Sequence, residues 1–297
     1  MRLTLTNKNN QTLDLLGHRD KFILSAAEGL HGVETEIGES ETYTDGAVIE
    51  SVKALPRGIE LTFTLRGNIK ASIEYFTSIV KSKQMVTLRE VDGARDISIK
   101  GIATVPPYSR MLSMCKITLT IYCGQPYWED TAYIVETISE YIDMLCFPQD
   151  GQHFIDNGKP FPYNGRPFGA IDTDLKKTFT NTSDTTVGMR ISIVALGEVV
   201  NPRISCDTGE QVGWYMQLNV TLKENDEVEI NTVKGERYIR INGEDTYNGE
   251  PIFNRLEWQG DDWLQIETGA NTFSITTEGG ATNSNLYFDL IYKGRYE

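Results

Sequence analysis

Apolar and polar residues alternate along most of the chain, and the alternation comes in short runs separated by Gly, Asp, Asn and Pro. In the first part these runs are "DKFILSA", "GAVIESVKAL", "GIELTFTLRG", "QMVTLREV", "RDISIKGIAT" and "KITLTIYC". A period of two over four to eight residues, bounded by turn formers, predicts half-buried β-strands. One segment breaks the pattern. From Asn68 onward Ile69, Ile73, Phe76 and Val80 recur at helical spacing, and the Asn68 side chain is placed to cap the first turn. A single amphipathic helix packed on the sheet is expected there.

In "REVDGARDI" an Asp-Gly pair stands between two alternating runs, the chemistry of a two-residue hairpin turn. With Asp92 and Gly93 as the turn, Glu90 faces Arg95, Arg89 faces Asp96, Leu88 faces Ile97 and Val86 faces Ile99, which matches charges and aliphatics across the strands. The whole hairpin "MVTLREVDGARDISIK" is long enough to serve as an arm toward a neighbouring molecule, or its tip simply decorates the surface.

Alternation fades over residues 134–175, where "FPQDGQHFIDNGKPFPYNGRPFGAIDTD" is crowded with Pro, Gly and aromatics. Flexible linkers lack aromatics, so Phe147, Phe154, Phe161, Tyr163 and Phe168 predict a linker that lies along a surface. From Lys176 short strands return, "RISIVAL", "WYMQLNVTL", "DEVEINT", "RYIRIN", "NRLEW", "WLQIETG", "NTFSITT" and "NLYFDLIY", with no helical pattern. Asn242-Gly243 predicts a second hairpin turn, with Arg240 facing Asp245 and Tyr238 facing Tyr247. The expectation is a mainly β protein. Residues 1–133 form a β-rich domain with one helix and a long hairpin, 134–175 a linker, and 176–297 a jelly-roll or galectin-like, carbohydrate-module-like β-sandwich.

The chain has 28 basic and 42 acidic residues, a formal net charge of -14, so its mean field repels phosphate and argues against sequence-specific nucleic-acid binding. No apolar run approaches the roughly 20 residues needed to cross a bilayer, and "MRLTLTNKNN" lacks a signal-peptide block, so a soluble protein made in the cytoplasm without membrane insertion is expected. Cys115, Cys123, Cys146 and Cys206 form no C-x-x-C pair and read as buried thiols.

Candidate chemistry is sparse. His18, His31 and His153 stand at no spacing that would place two on one metal ion. Asp207-Thr208-Gly209 resembles the catalytic turn of aspartic proteases, but Glu210 follows where those enzymes carry a small residue and no second such tripeptide exists, so a plain turn explains it. Asp172 and Asp174 could bind a divalent ion or simply form a solvated turn beside Lys176 and Lys177. No catalytic residue, cofactor or metal site is assigned. A sugar could stack on a tryptophan face beside carboxylates, which makes Trp258, Asp261, Asp262 and Trp263 in "WQGDDW" candidate sugar contacts; Trp214 offers another ring, and core packing of the tryptophans is the alternative.

One exit deserves explanation. "CGQPYWED" ends a clean strand with Pro126, Tyr127 and Trp128. Proline cannot donate to a ladder, and two rings supply apolar area to pin the departing chain, so these three residues form a domain-exit anchor. This stretch, the Phe-Pro segment "PFPYNGRPFG", "RYIRING" and the "DDWLQIETGANTFSI" run, in which Trp263, Gly269 and Asn271 fit a Trp, Leu, Gly, Asn pattern, occur in an order that resembles the distal tail proteins of long-tailed, siphovirus-type bacteriophages and prophages.

The resemblance implies a non-enzymatic structural hub of the virion tail tip, a homohexameric ring of first domains with second domains projecting outward. Its implied partners are other copies of itself, the tail tube protein, the tape-measure protein and a tail-tip lysin, fibre or receptor-binding protein, with DNA passing through the ring. Two readings of Glu34, Glu36, Glu39, Glu41 and Asp45 are open: in such a ring some of them face the lumen, or they form an ordinary solvated acidic loop. A carbohydrate-binding two-domain module is the alternative function.

Overall fold

The computed structural model describes residues 1–41, 46–105, 115–138, 141–143, 155–156, 159–160, 169–171, 176–278 and 286–297. The chain divides into two compact units, Met1–Ala132 together with Arg295–Glu297, and Tyr133–Gly294. The architecture is mainly β and antiparallel, with one α-helix among the described residues. Among those residues no helix is long and apolar enough to cross a membrane.

The first unit contains β1 (Arg2–Asn7), β2 (Thr12–Asp14), β3 (Phe22–Glu28), β4 (Thr35–Glu41), β5 (Ala47–Ala54), β6 (Arg57–Leu65), α1 (Ile69–Ile79), β7 (Gln84–Asp92), β8 (Arg95–Thr104), β9 (Cys115–Cys123) and β10 (Trp128–Asp130). Its main sheet runs in the order β2-β1-β7-β8-β9-β6-β3. The expected period of two is obeyed closely: Ile59, Leu61, Phe63 and Leu65 of β6 and Ile117, Leu119 and Ile121 of β9 are buried on one face. Helix α1 covers that face. Asn68 caps it, its side chain accepting from the Ala71 N–H at 3.2 Å, and Phe76 packs against Phe22 and Phe63 with ring centroids 6.2 and 5.3 Å away. Phe76, Ile79 and Val80 are buried while Ile69 and Ile73 are half-buried, so the predicted helix and its apolar face are both present.

Strand β8 changes partner along its length: Ile97 and Ser98 pair with β10, whereas Ile102 to Thr104 pair with β9. Gly101 stands at this junction because a Cβ there would come within 2.6 Å of Ile121, 2.7 Å of the Tyr122 carbonyl and 2.8 Å of the Cys123 sulfur.

The β7–β8 register differs from expectation by two residues. Asp92 pairs with Arg95, Glu90 with Ile97 and Leu88 with Ile99, so the turn is Gly93-Ala94 rather than Asp92-Gly93. Gly93 has φ 61° and Ala94 is not in the left-handed region, the sign pattern of a II′ turn with Gly first. A slip of two leaves every side chain on its original face, which is why alternation alone did not distinguish the registers. Arg89 and Asp96 still meet, now diagonally, with Arg89 Nε donating to Asp96 at 2.7 Å. Nor is this hairpin an arm: β7 pairs with β1 on its other side and β8 with β9 and β10. The pair outside the main sheet is β4–β5, a two-stranded ladder of its own.

The second unit contains β11 (Ile134–Thr137), β12 (Tyr141–Asp143), β13 (Ile155–Asp156), β14 (Lys159–Pro160), β15 (Gly169–Ile171), β16 (Lys176–Asn181), β17 (Met189–Ala195), β18 (Val199–Cys206), β19 (Tyr215–Leu218), β20 (Thr221–Leu222), β21 (Glu227–Asn231), β22 (Tyr238–Ile241), β23 (Thr246–Tyr247), β24 (Glu250–Pro251), β25 (Leu256–Gln259), β26 (Gly269–Glu278) and β27 (Leu286–Tyr292); β28 (Arg295–Tyr296) returns to the first unit. Two sheets, β11-β27-β17-β21-β22 and β16-β26-β18-β19-β25, enclose one core. Met189, Ile191, Phe288 and Leu290 come from the first sheet and Ile204, Met216, Phe273 and Ile275 from the second, the two inner faces of a β-sandwich. Its described helical pieces are two 3-10 turns, Gly209–Gln211 and Ile252–Arg255.

Within residues 134–175, β11 joins the sandwich beside β27, β12 pairs with β15 and β13 with β14. Phe147, Phe154, Phe161, Tyr163 and Phe168, together with Cys146, His153, Asp172 and Asp174, lie outside the described residues. The Asn242-Gly243 turn forms as predicted, with φ 53° and 82° and an Ile241–Glu244 bridge. The hairpin stops after that bridge. Arg240 and Tyr238 pair instead with Glu229 and Asn231 of β21, and Tyr247 pairs with Glu250 across a second Asn-Gly turn at Asn248-Gly249, so the expected Arg240–Asp245 and Tyr238–Tyr247 pairs do not occur.

Candidate functional site

The exit segment is built into the core of the first unit. Pro126 is buried, Tyr127 half-buried, and Trp128 has no solvent exposure. The indole N–H of Trp128 donates to the Leu30 carbonyl at 2.7 Å. Arg57, at the start of β6, donates to the same carbonyl at 2.8 Å and to the Gly32 carbonyl at 2.8 Å. The loop held in this way, Leu30 to Gly32, leads directly into β4. Trp128 is therefore hydrogen-bonded to the loop at the root of the β4–β5 ladder. Burial lowers the Arg57 pKa, opposed by Cys123, Glu297 and Tyr127. Glu90 is buried nearby, with its Oε2 3.9 Å from His31 Nε2.

The last strand closes the same corner. Trp128 pairs with Tyr296 and Glu129 with Arg295, whose side chain donates to the Glu129 carboxylate at 3.1 Å. The chain thus passes between units twice, after Ala132 and after Gly294.

In the second unit the four candidate sugar contacts separate into two groups. Trp263 is buried, stacked on Phe253 at 6.1 Å and covered by the Arg237 guanidinium at 5.3 Å. Asp262 is engaged by Arg237 at 2.6 Å, by Lys234 at 3.6 Å and by the Trp263 N–H at 2.8 Å. Burial works against its carboxylate and these partners outweigh it, so its pKa is lowered. Asp261 is exposed. Trp258 is 42% exposed, and its ring neighbour at 6.2 Å is Phe253, itself 52% exposed, which sequence reasoning missed because it belongs to a 3-10 turn. Trp214 is packed against the core beneath Gly260.

The remaining chemistry candidates have structural roles. Asp207 is ion-paired to Lys176 at 2.9 Å, Gly209 takes φ 74°, and the Thr208 hydroxyl accepts from the Thr272 N–H at 2.7 Å: the tripeptide is a turn. His18 meets the Tyr75 hydroxyl at 3.1 Å, away from His31. Among the described residues no group of three or more His, Cys, Asp or Glu could hold a metal ion.

The Trp, Leu, Gly, Asn pattern is a lock for one chain reversal. Trp263 and Leu264 are buried; Gly269 has φ 87°. Asn271, 2% exposed, donates to the carbonyls of Glu267 and Gly269 at 2.8 and 2.9 Å and accepts from the Glu267 N–H at 2.9 Å. The Glu267 carboxylate in turn accepts the N–H groups of Glu210 and Gln211 at 3.0 and 3.1 Å.

That lock lies within a segment with relatives. Residues 182–296 match the siphovirus-type tail component, C-terminal domain. Over its whole length the chain is similar in fold to the Dit protein of phage SPP1, described as a paradigm of the hub adsorption apparatus in phages that infect Gram-positive bacteria. The likeness covers 99% of each chain with a TM-score of 0.58 and 14% identity. Weaker likenesses are to the phage P2 baseplate in its activated conformation, with calcium (TM-score 0.42, 11% identity) and with strontium (TM-score 0.43, 12% identity), each covering 98% of this chain and 97% of the other. No curated protein sequence matches the chain. The fold is Dit-like from end to end.

Proposed function

We propose that this protein is a structural hub of a phage tail tip, a homohexameric ring that joins the tail tube to tail-tip or receptor-binding components and lets DNA pass. The observation that carries this reading is the end-to-end likeness to the SPP1 hub protein, over 99% of each chain. The match of residues 182–296 to a tail-component domain supports it from the sequence side. In this reading the molecule works by shape and is not an enzyme, its first unit forms the ring, and its partners are the tube protein, the tape-measure protein and a tail-tip lysin, fibre or receptor-binding protein. Its place is the distal end of the virion tail.

Native mass spectrometry of the purified chain, with labelling of intact particles by an antibody to the second unit, tests the reading. A six-copy species and label at the tail tip are expected; a chain that is monomeric and absent from particles overturns it.

One observation favours a second role for the second unit, carbohydrate binding. Trp258 and Phe253 expose adjoining rings, the surface on which sugar C–H groups stack. Asp261 is the carboxylate of the predicted group that stays exposed, whereas Asp262 and Trp263 are committed to their own packing. A glycan array with wild type and Trp258→Ala tests it: signal lost in the variant supports the role, and no wild-type signal removes it.

A further inference from the structure

Strands β4 and β5 form a ribbon outside the main sheet, and an isolated two-stranded ribbon is marginal in water. One of its faces is apolar. Ile37 pairs with Val52 and Glu39 with Ile49, so these four residues point the same way. Ile37, Ile49 and Val52 are 54, 62 and 65% exposed, and a register shift after Gly38 is what brings Ile49 onto the face of Val52.

A second apolar row lies on the outer face of the main sheet of the same unit. Met85 pairs with Ile102 and Ile102 with Tyr122, making a strip across three adjacent strands. These side chains are 53, 45 and 57% exposed, while their sequence neighbours Val86, Ala103 and Ile121 are buried in the core. Exposed Lys100 stands two residues from Ile102 on this face, opposite in sign to Glu39 on the ribbon.

We infer that the β4–β5 ribbon docks its Ile37, Ile49 and Val52 face on the Met85–Ile102–Tyr122 row of a second copy of this chain, with Glu39 meeting Lys100. The inference deepens the ring reading above and rests on it. Two unlike surfaces on one unit make a head-to-tail contact, which closes into a ring when the rotation per copy permits. The occupant is another copy because the two surfaces complement each other in sign as well as in polarity. At a net charge of -14, copies repel in most orientations, so an attractive Glu39–Lys100 pair selects the register. The root of the ribbon is also the loop held by Trp128 and Arg57, which presents it in a fixed direction.

The test is sedimentation velocity and native mass spectrometry on the full chain, with circular dichroism to check folding. Ile49→Glu and Ile102→Glu are each expected to weaken assembly by about tenfold or more, since a charge is placed at the centre of the contact. Mixing the two variants is expected to give dimers and no rings, because only one intact ribbon and one intact row remain to meet. Glu39→Lys with Lys100→Glu in one chain is expected to restore what either change alone weakens; both sites are exposed, so folding is unaffected. Rings that survive Ile49→Glu and Ile102→Glu unaltered, or a mixture without dimers, overturn the assignment of these surfaces and leave the ring reading standing. A wild-type chain that stays monomeric at every concentration overturns the ring reading and this inference with it.

Discussion

Trp128 and Arg57 share one acceptor, and that sharing sets a measurable energy. A tryptophan side chain buries roughly 200 Å², worth about 5 kcal/mol at about 25 cal/mol per Å². Trp128 is fully buried, so Trp128→Ala, which leaves a cavity that β8 and β10 cannot fill, is expected to cost about 3–5 kcal/mol. Trp128→Phe keeps most of the apolar area and loses the N–H. Because Arg57 still donates to the Leu30 carbonyl, that acceptor is not orphaned and the cost falls to about 1–2 kcal/mol.

Arg57→Met removes the other donor and leaves the indole in place. Combining Arg57→Met with Trp128→Phe strips the carbonyl of both, so the pair should cost about 1 kcal/mol more than the sum of the singles. Hydrogen exchange of peptides spanning residues 115–132 reads this unit by itself, which matters in a chain of two units whose overall unfolding need not be two-state. Additivity within about 0.3 kcal/mol, or a Trp128→Phe variant as damaged as Trp128→Ala, would refute the shared-acceptor argument.

In the second unit, Asn271→Ala removes both ends of the reversal lock and strands the Gly269 carbonyl and the Glu267 N–H, while the Glu267 carbonyl keeps Asn181 as a donor, so urea unfolding should show a loss of about 2–4 kcal/mol; a loss under about 0.5 kcal/mol contradicts the lock. Gly269→Ala at φ 87° should cost about 1–2 kcal/mol in the same assay. The Arg89 hydrogen bonds hold the Asp96 carboxyl at about 2, below its ordinary 3.8, with Thr131 assisting. A depressed folded-state value stabilises above the unfolded pKa, and that contribution fades as pH falls from about 4 to about 2. Carboxyl NMR titration of Asp96 checks it, and a midpoint near 4 refutes it. Burial pushes the Cys123 thiol up to about 11, so a thiol reagent at pH 8 should label it only after unfolding; native labelling at the unfolded rate refutes its burial.

The elements were legible where local chemistry and burial agree. Asn68 with Phe76 and Val80 specifies a capped helix whose apolar face can lie only on the sheet, and it does. The register of β7–β8 was not legible to the same degree. Charge matching favoured Asp92-Gly93 as the turn, but Gly93 as first turn residue with Ala94 second satisfies the backbone with one left-handed position instead of two. It also leaves Asp92 free to pair with the N-terminal ammonium at 3.0 Å. Both registers bury Val86, Leu88, Ile97 and Ile99, so hydrophobicity is silent between them. Asn242-Gly243 shows the converse: the dipeptide fixes its own turn, while β21, the strand just before β22 in the chain, takes the strand that was expected to continue the hairpin.

The same limit explains the site. Alternation in "GAVIESVKAL" would put Ile49 and Val52, three residues apart, on opposite faces; the register shift after Gly38 brings them to one face, and nothing in a single chain says whose atoms cover it. Length made β7–β8 look like the arm, yet both its strands are built into the main sheet and its inward apolar residues, Val86, Leu88, Ile97 and Ile99, are buried there. The shorter β4–β5 ribbon lies outside that sheet and has an uncovered apolar face, and its acidic residues Glu34, Glu36 and Glu39 are exposed beside it. Glu41's side chain and Asp45 lie outside the described residues. Glu39 shares a face with Ile49, so in the contact inferred above it meets Lys100 rather than a lumen. Glu36 pairs with Lys53 on the opposite face, where a channel would have to be if this ribbon lined one. The acidic cluster therefore divides by face, Glu39 on the side of Ile37 and Val52 and Glu36 on the other, and that division follows from the Ile37–Val52 pairing and the alternation of β4.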